Sequence, residues 1–187
     1  MHTPELSRRH LLLGAAASAA LLSMQQAIAQ TASRGEDWLE MVKAHHKLVE
    51  EHFDAMLESG GRTFLRRETM ERKLDYLLTA HSVAEENVLY PALARAGLAS
   101  ESDRLYLDQA HAKVMNAGLQ LLAAKEEAEW FQKVRDLRAA VLKHAKEDEE
   151  ANLYPKLQAM LEKDANARLA QMYRREFGMV KPDRKLP

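Results

Sequence analysis

The sequence predicts an all-α protein, an up-down-up-down four-helix bundle with a short extra helix near its C-terminal end. The composition supports this prediction, because 47% of the residues are apolar whereas glycine (7) and proline (5) are scarce. In addition, four long segments repeat their apolar residues with the period of an α-helix. Only short connections join these segments, which favours antiparallel neighbours in a bundle.

The first two predicted helices form one hairpin. The first covers about residues 36–58, with Val49 among the apolar residues of one face. Gly60-Gly61 ends this helix, because glycine tolerates the left-handed conformation of a helix cap. The second helix covers about residues 63–90, and Pro91 marks its last turns.

The remaining predicted helices form a second hairpin and an extension. The third begins after Ser100 or Ser102, either of which is a suitable N-cap, and continues to about Lys125. The fourth covers about residues 130–161. A fifth amphipathic segment, about residues 166–177, is expected to pack on the bundle or on another protein.

Cysteine and charge exclude several kinds of site. The chain has no cysteine, so it cannot form disulfides, iron–sulfur clusters or thiolate zinc sites. Any metal must therefore be held by histidine, aspartate or glutamate. The formal net charge of −1 offers no basic surface for nucleic acid, and we expect no nucleic-acid partner.

The N-terminal residues predict an export signal of the twin-arginine type. Arg8-Arg9 precedes an uncharged apolar run from Leu11 to Leu22, which is shorter than the roughly 20 residues of a membrane span. A small-x-small cleavage signature follows and ends at Ala29. A Sec signal or a signal anchor are the alternatives. The predicted division is a cleavable signal over 1–29 and a mature domain over 30–187, with a bundle core over about 38–161. We expect no membrane span after cleavage and a periplasmic location.

An internal repeat is the strongest signal in the sequence. The segments His81–Pro91 and His144–Pro155 both read His, a few residues, Glu-Glu, two residues and Leu-Tyr-Pro. Each segment is also preceded by a histidine in the helix before it, His46 and His111 respectively. The Leu-Tyr-Pro endings are expected to close the helices and pack the end of the bundle. The chain therefore resembles two similar hairpins, each with a histidine in its first helix and a histidine and carboxylate in its second.

The spacing within the repeat predicts a metal site. Residues four apart lie on one face of a helix, so His81 and Glu85 can point to one site. His144 and Glu149 are five apart, which opens the angle between them but keeps them on one side, and Asp148 is the competing choice. Imidazole and carboxylate ligands suit iron, manganese or zinc. We therefore expect a metal pair in the bundle core, with iron as the first choice and manganese or zinc as alternatives.

At these residues the sequence resembles the hemerythrin-like (HHE cation-binding) family over about Trp38 to Leu161. The family has a four-helix bundle with an oxo- or hydroxo-bridged di-iron centre. Its first-helix motif, a histidine followed by apolar residues three and seven positions later, fits His46 better than His45. The resemblance implies Glu85 and Glu149 as bridging carboxylates. The implied metal ligands are His46, His81, Glu85, His111, His144 and Glu149.

The resemblance departs from the oxygen-carrying members at one position. Those proteins have a second histidine four residues after the first on the third helix, where this chain has Met115. A thioether is a poor ligand for ferric iron, so either another side chain or a water completes the centre, or its metal occupancy is lower. His45, Glu86 and Asp148 are the candidates.

The expected function is that of a non-haem di-iron protein that binds or senses oxygen or a related small molecule, such as nitric oxide. One alternative is a di-iron redox enzyme, such as an oxidase, a peroxidase or an iron-handling protein. The other is a metal-binding module whose metal is structural. No nucleophile or substrate motif supports catalysis, so an enzyme is the less favoured reading. The sequence does not indicate a protein partner.

Overall fold

The computed structural model describes residues 37–60, 64–122 and 127–182, without the side chain of Phe64. Within these ranges the chain forms five helices and no strand, which confirms the predicted all-α class. The predicted export signal lies outside the described residues. None of the helices in the described ranges is long and apolar enough to cross a membrane.

Four long helices form the bundle and a fifth packs on it. Each helix contacts its neighbours in an up-down-up-down order, and the fifth helix lies against the first two. The fifth segment therefore packs on the bundle of its own chain. The helices are α1 (Trp38–Leu57), α2 (Phe64–Ala84, continued by Glu85–Leu89 and Tyr90–Arg95), α3 (Ala99–Gln120), α4 (Glu127–Leu142, continued by Lys143–Leu153 and Tyr154–Met160) and α5 (Lys163–Met179).

The start of α3 differs from the prediction. Its N-cap residue is Leu98, so neither Ser100 nor Ser102 caps the helix. Gly97 has a φ of +90°, a left-handed conformation that turns the chain sharply between α2 and α3. Because α3 begins so soon after this turn, Ser102 already lies within the helix, where its hydroxyl donates to the carbonyl of Tyr90 at 2.9 Å.

Two helices contain π-helical segments at the repeat. Glu85–Leu89 in α2 and Lys143–Leu153 in α4 are π-helical, and in each helix the following tyrosine N–H donates to the glutamate carbonyl five residues earlier. In an α-helix, residues five apart would diverge by about 140° around the axis. The π geometry instead stacks such residues, which changes the side chains that face the core.

The prolines of the repeat do not end their helices. Pro91 has no N–H to donate to the carbonyl of Glu86, five residues earlier, and the Tyr106 hydroxyl donates to that carbonyl at 2.6 Å instead. With this group satisfied, α2 continues to Arg95, and α4 likewise continues beyond Pro155 to Met160. The π segments therefore lie inside continuous helices, close to the middle of the bundle.

Candidate metal centre

Four side chains from three helices converge in the core of the bundle. His46 of α1, His81 and Glu85 of α2, and Glu149 of α4 each offer a ligand atom, and these atoms all lie within 4.8 Å of one another. Their side chains are buried, and both glutamates are 0% exposed. The Nε2 atoms of His46 and His81 are 3.0 Å apart, and Glu149 Oε2 lies 3.2 Å from His46 Nε2.

His144 joins this cluster from the opposite side of Glu149. Its Nε2 lies 3.1 Å from Glu149 Oε1, whereas Glu149 Oε2 faces His46. The π-helical segment of α4 contains both His144 and Glu149, so their five-residue separation places them on one face. The structure therefore brings together five of the predicted ligands: His46, His81, Glu85, His144 and Glu149.

The sixth predicted ligand, His111, does not reach the cluster. It is exposed on the outer face of α3, alongside Leu107 and Val114, which are each 71% exposed. The buried face of α3 instead carries Gln109 and Asn116. Positions two apart in an α-helix are separated by about 200° around its axis. A helix that points position 109 inward must therefore point position 111 outward.

Gln109 is the residue that α3 contributes to the site, and it is not among the predicted site residues. Its Nε2 donates to Glu85 Oε2 at 2.7 Å and to the Tyr90 hydroxyl at 3.1 Å. The Ser82 hydroxyl donates to its Oε1 at 2.8 Å, which orients the amide. The one sequence signal for this role is the spacing of Gln109 from Asn116. The two polar residues are seven apart and therefore lie on the same face of the helix.

The two tyrosines of the repeat lie at the centre of the site. The predicted place for them, at the end of the bundle, is therefore wrong. The Tyr90 hydroxyl donates to Glu149 Oε1 at 2.9 Å and lies 3.0 Å from His144 Nε2. The Tyr154 hydroxyl is 2.6 Å from Glu85 Oε1 and 2.8 Å from Glu149 Oε1. Each tyrosine follows its glutamate by five residues, so the π-helical segments turn both tyrosines inward.

The outward-facing nitrogen of His46 has a neighbour that can orient the ring, whereas that of His144 has no hydrogen-bond partner within the described residues. His46 Nδ1 lies 2.7 Å from Glu150 Oε1, which also accepts from Lys146. The nearest such group to His144 Nδ1 is Asp108, with Oδ2 at 3.7 Å, too long for a direct hydrogen bond. Carboxylates in this position commonly orient a metal-binding imidazole and raise its basicity.

The fifth helix supplies the corresponding group for His81. The hydroxyl of Tyr173 lies 3.1 Å from His81 Nδ1 and 2.9 Å from His45 Nδ1. His45 stacks on Phe177 with ring centroids 4.0 Å apart, which holds it beside the cluster and not within it. Burial lowers the pKa of His45 to about 3, so this ring is neutral.

None of the three candidates for completing the centre reaches the ligand cluster. His45 lies beside the cluster, as described above. Glu86 forms an ion pair with Lys113, and Asp148 accepts a hydrogen bond from Arg104 at 2.7 Å. Asp148 and Asp108 do form a second, more peripheral group with His144. This group meets the outer side of the His144 ring, whereas Nε2 faces the core cluster.

Opposite charges meet within the cluster. Burial alone lowers the pKa of His46, but Glu149, Glu150 and Glu85 overcome this effect and raise it well above its usual range. Burial likewise opposes the charged form of His144, yet Glu149 raises its pKa to about 9. Burial raises the pKa of Glu85, but the charges of His81 and His46 outweigh it and lower this pKa well below the usual range. Buried charges of this kind are costly unless they are paired or bind a metal.

The donor set fits a metal. Glu149 Oε2 is buried and has no hydrogen-bond partner within the described residues, so one carboxylate oxygen is left to accept a cation. Two carboxylates and three imidazoles are the ligand types that suit iron, manganese or zinc. Their protons must leave before a metal can bind.

A small cavity adjoins the cluster. Its volume is about 130 Å³, and three clustered histidines form part of its wall. Most of the wall's surface is apolar, although polar side chains such as Asp75 and Asn116 also line it. The lining includes His46, His81, His144, Val49, Leu78 and Val141.

Comparison with protein families matches residues 37–157 to the hemerythrin HHE cation-binding domain. The match covers α1 to α4 up to Leu157 and contains all five clustered side chains. The chain belongs to this family. In this hemerythrin HHE domain the third helix points Gln109 at the site, and α5, with Tyr173, lies beyond the matched range. Comparisons with curated proteins and with solved structures produced no match.

Proposed function

We propose that this hemerythrin HHE domain is a non-haem di-iron protein that binds oxygen or a related small molecule, such as nitric oxide. The observation that carries the proposal is the buried cluster of histidines and carboxylates beside a small, largely apolar cavity. Iron held there would supply a redox-active, Lewis-acidic centre to which a small ligand can coordinate. Manganese and zinc are the alternative metals.

Two metal ions suit the ligand set better than one. His46 and His81 approach the carboxylates from one side, and His144 approaches Glu149 from the other. The carboxylate of Glu149 lies between these groups, with one oxygen toward each side, and Glu85 lies beside His46 and His81. Together the two carboxylates would hold the ions. In helical bundles, such paired carboxylates and histidines project inward to hold a dinuclear centre.

The cavity supports the proposed class of ligand. Its volume of about 130 Å³ is close to that of an engineered apolar protein cavity of about 150 Å³, which stays dry and binds benzene or xenon. A diatomic molecule fits easily in such a space. The histidines in the wall would place a small ligand directly beside the metal.

We also propose that the protein acts outside the cytoplasm, after export through a twin-arginine-type signal. The support is the motif around Arg8-Arg9 and the cleavage signature that ends at Ala29. Proteins with such signals cross the membrane folded, so the metal would be inserted before export.

Metal analysis of the anaerobically purified protein tests the dinuclear proposal. We expect two iron ions per chain in the wild-type protein and loss of this content in His81→Ala. His111→Ala is the matched control and should keep both ions, because His111 is exposed on the outside of α3. A content of one ion or none in the wild-type protein would refute the dinuclear site, and loss in His111→Ala would refute the ligand assignment.

Optical titration of the ferrous protein with oxygen and nitric oxide tests the ligand. A reversible spectral change on adding and removing either gas is the expected result. Irreversible oxidation of the iron, or steady consumption of added peroxide, would support a redox enzyme instead. Unchanged spectra with both gases would contradict the proposed ligand class.

A further inference from the structure

We propose that Tyr90 is a metal ligand in this protein, an oxygen donor that takes the position for which the sequence predicted a third-helix histidine. The inference rests on the proposed iron site and adds to its ligand set. It begins from an imbalance among the nitrogen ligands. Two histidines serve one side of the carboxylates, but His144 alone serves the other, because His111 lies on the outer face of α3.

The hydroxyl of Tyr90 lies on this depleted side. Its oxygen is 3.0 Å from His144 Nε2, 2.9 Å from Glu149 Oε1 and 3.4 Å from Glu85 Oε2. Ligand atoms at neighbouring positions around one ion lie about 3 Å apart when each metal–ligand distance is about 2.1 Å. The spacing of this oxygen from the other donor atoms is therefore that of a ligand to the same ion.

A hydrogen bond from α3 prepares this oxygen for coordination. Gln109 Nε2 donates to it at 3.1 Å, and the hydroxyl of Ser82 orients the Gln109 amide from the other end. Tyr90 is fully buried, so packing holds its hydroxyl in this place. A donor aimed at a phenolic oxygen stabilises the negative charge that this oxygen carries when it binds a cation.

Tyr154 is the equivalent residue of the other repeat, yet its surroundings differ. Its hydroxyl contacts the two carboxylates, at 2.6 and 2.8 Å, with no imidazole nitrogen and no amide donor among its hydrogen-bond partners in the described residues. A hydroxyl with these partners donates to a carboxylate and holds it in place. We therefore assign Tyr154 to the positioning of Glu85 and Glu149, and coordination to Tyr90 alone.

The coordination step is balanced without a redox partner. The O–H bond of Tyr90 breaks, its proton leaves to solvent and an oxygen–metal bond forms, with no electron transferred. Phenolate is a hard oxygen ligand, which suits ferric iron better than the thioether of Met115 would.

The test is the absorption spectrum of the full-length protein, loaded with ferrous iron under anaerobic conditions and oxidised by air. Ferric iron bound to a phenolate absorbs strongly in the visible region, and resonance Raman excitation in that band enhances the ring vibrations of the tyrosine. We expect this band in the wild-type protein and in Tyr154→Phe, and its loss in Tyr90→Phe, all expressed per bound iron. Helical circular dichroism of the metal-free variants checks their folding.

Each outcome bears on one proposal. Two iron ions without a phenolate band in the wild-type protein would overturn the assignment of Tyr90 and leave the proposed function standing. A band that survives Tyr90→Phe but is lost in Tyr154→Phe would also overturn it. Failure of the wild-type protein to bind iron would refute the proposed function itself, and with it this inference.

A second variant keeps the assignment falsifiable if Tyr90→Phe binds no iron. Gln109→Leu removes the hydrogen bond to the Tyr90 oxygen but keeps the tyrosine. We expect the band to move in energy at equal iron content, because the charge on the phenolate oxygen is less stabilised. An unmoved band would place the absorbing tyrosine elsewhere.

Discussion

Tyr173 connects the fifth helix to the candidate metal centre, and its replacement by phenylalanine tests that connection. The Nε2 of His81 faces the cluster, 3.0 Å from Glu85 Oε2, so this nitrogen would bind the metal and leave the proton on Nδ1. His81 Nδ1 then donates to the Tyr173 oxygen at 3.1 Å. The Tyr173 hydroxyl donates in turn to His45 Nδ1 at 2.9 Å.

Tyr173→Phe removes one oxygen atom and keeps the packing of the ring. The change deprives His81 and His45 of a buried hydrogen-bond partner, and a buried polar group without a partner costs about 1–3 kcal/mol. A loss of about 2 kcal/mol in the free energy of unfolding corresponds to a melting temperature about 4–8 °C lower for a domain of this size. Because the partner of a ligating histidine is lost, metal affinity should fall about 10- to 100-fold.

Two measurements check this prediction, thermal melting of the metal-free protein by circular dichroism and competition for iron against a chelator of known affinity. Tyr76→Phe is the matched control, since Tyr76 is half-buried on α2 and its hydroxyl makes no hydrogen bond within the described residues. The control should change neither quantity. A Tyr173→Phe protein with wild-type melting temperature and wild-type iron affinity would refute the link between α5 and the site.

Three further predictions concern the surroundings of the site and the export signal. Glu150→Gln should weaken iron binding about 10- to 100-fold in a chelator competition, because it removes the charged partner of His46 Nδ1. The control Glu147→Gln, an exposed change on the same helix, should have no effect. The pKa of His144 is raised from 6.5 to about 9, so its contribution to metal-free stability is complete below about pH 6.5 and is lost as the pH rises through about 9. Melting curves in chelator from pH 6 to 10 should therefore show a decline that is smaller in His144→Gln, and an equal decline in both proteins would contradict the assignment. Replacing Arg8 and Arg9 with lysine should block export. The measurement is the amount of processed chain, which begins at Gln30, in the extracytoplasmic fraction. Normal processing would indicate another export route.

Local sequence patterns were sufficient for the helices and for most of the ligand types. Helical periodicity placed Val49 on the apolar face of α1, and it lies in the core together with Val42 and Phe53. The i, i+4 spacing of His81 and Glu85 placed both on one side of α2 because that turn is α-helical. These inferences succeeded because helix periodicity depends on residues that are close in sequence.

The inward tyrosines depend on a feature that the spacing does not reveal. Tyr90 and Tyr154 reach the site because π-helical segments stack residues five apart. In an α-helix the same residues would point away from the glutamates, so the Leu-Tyr-Pro endings were interpreted as end packing. A π segment adds one residue to a turn, and this addition has no characteristic sequence pattern.

The sequence by itself determined the helical class, the repeat and the histidine–carboxylate chemistry of the site, since each follows from periodicity or residue type. Only the tertiary structure decided the rotation of α3 and the role of α5. The outer face of α3 also carries large apolar residues, including Leu107 and Val114, so its pattern did not distinguish the inward face from the outward one. Packing against α2 and α4 settles that rotation, and with it the choice of Gln109 over His111, because helix orientation depends on contacts between segments distant in sequence.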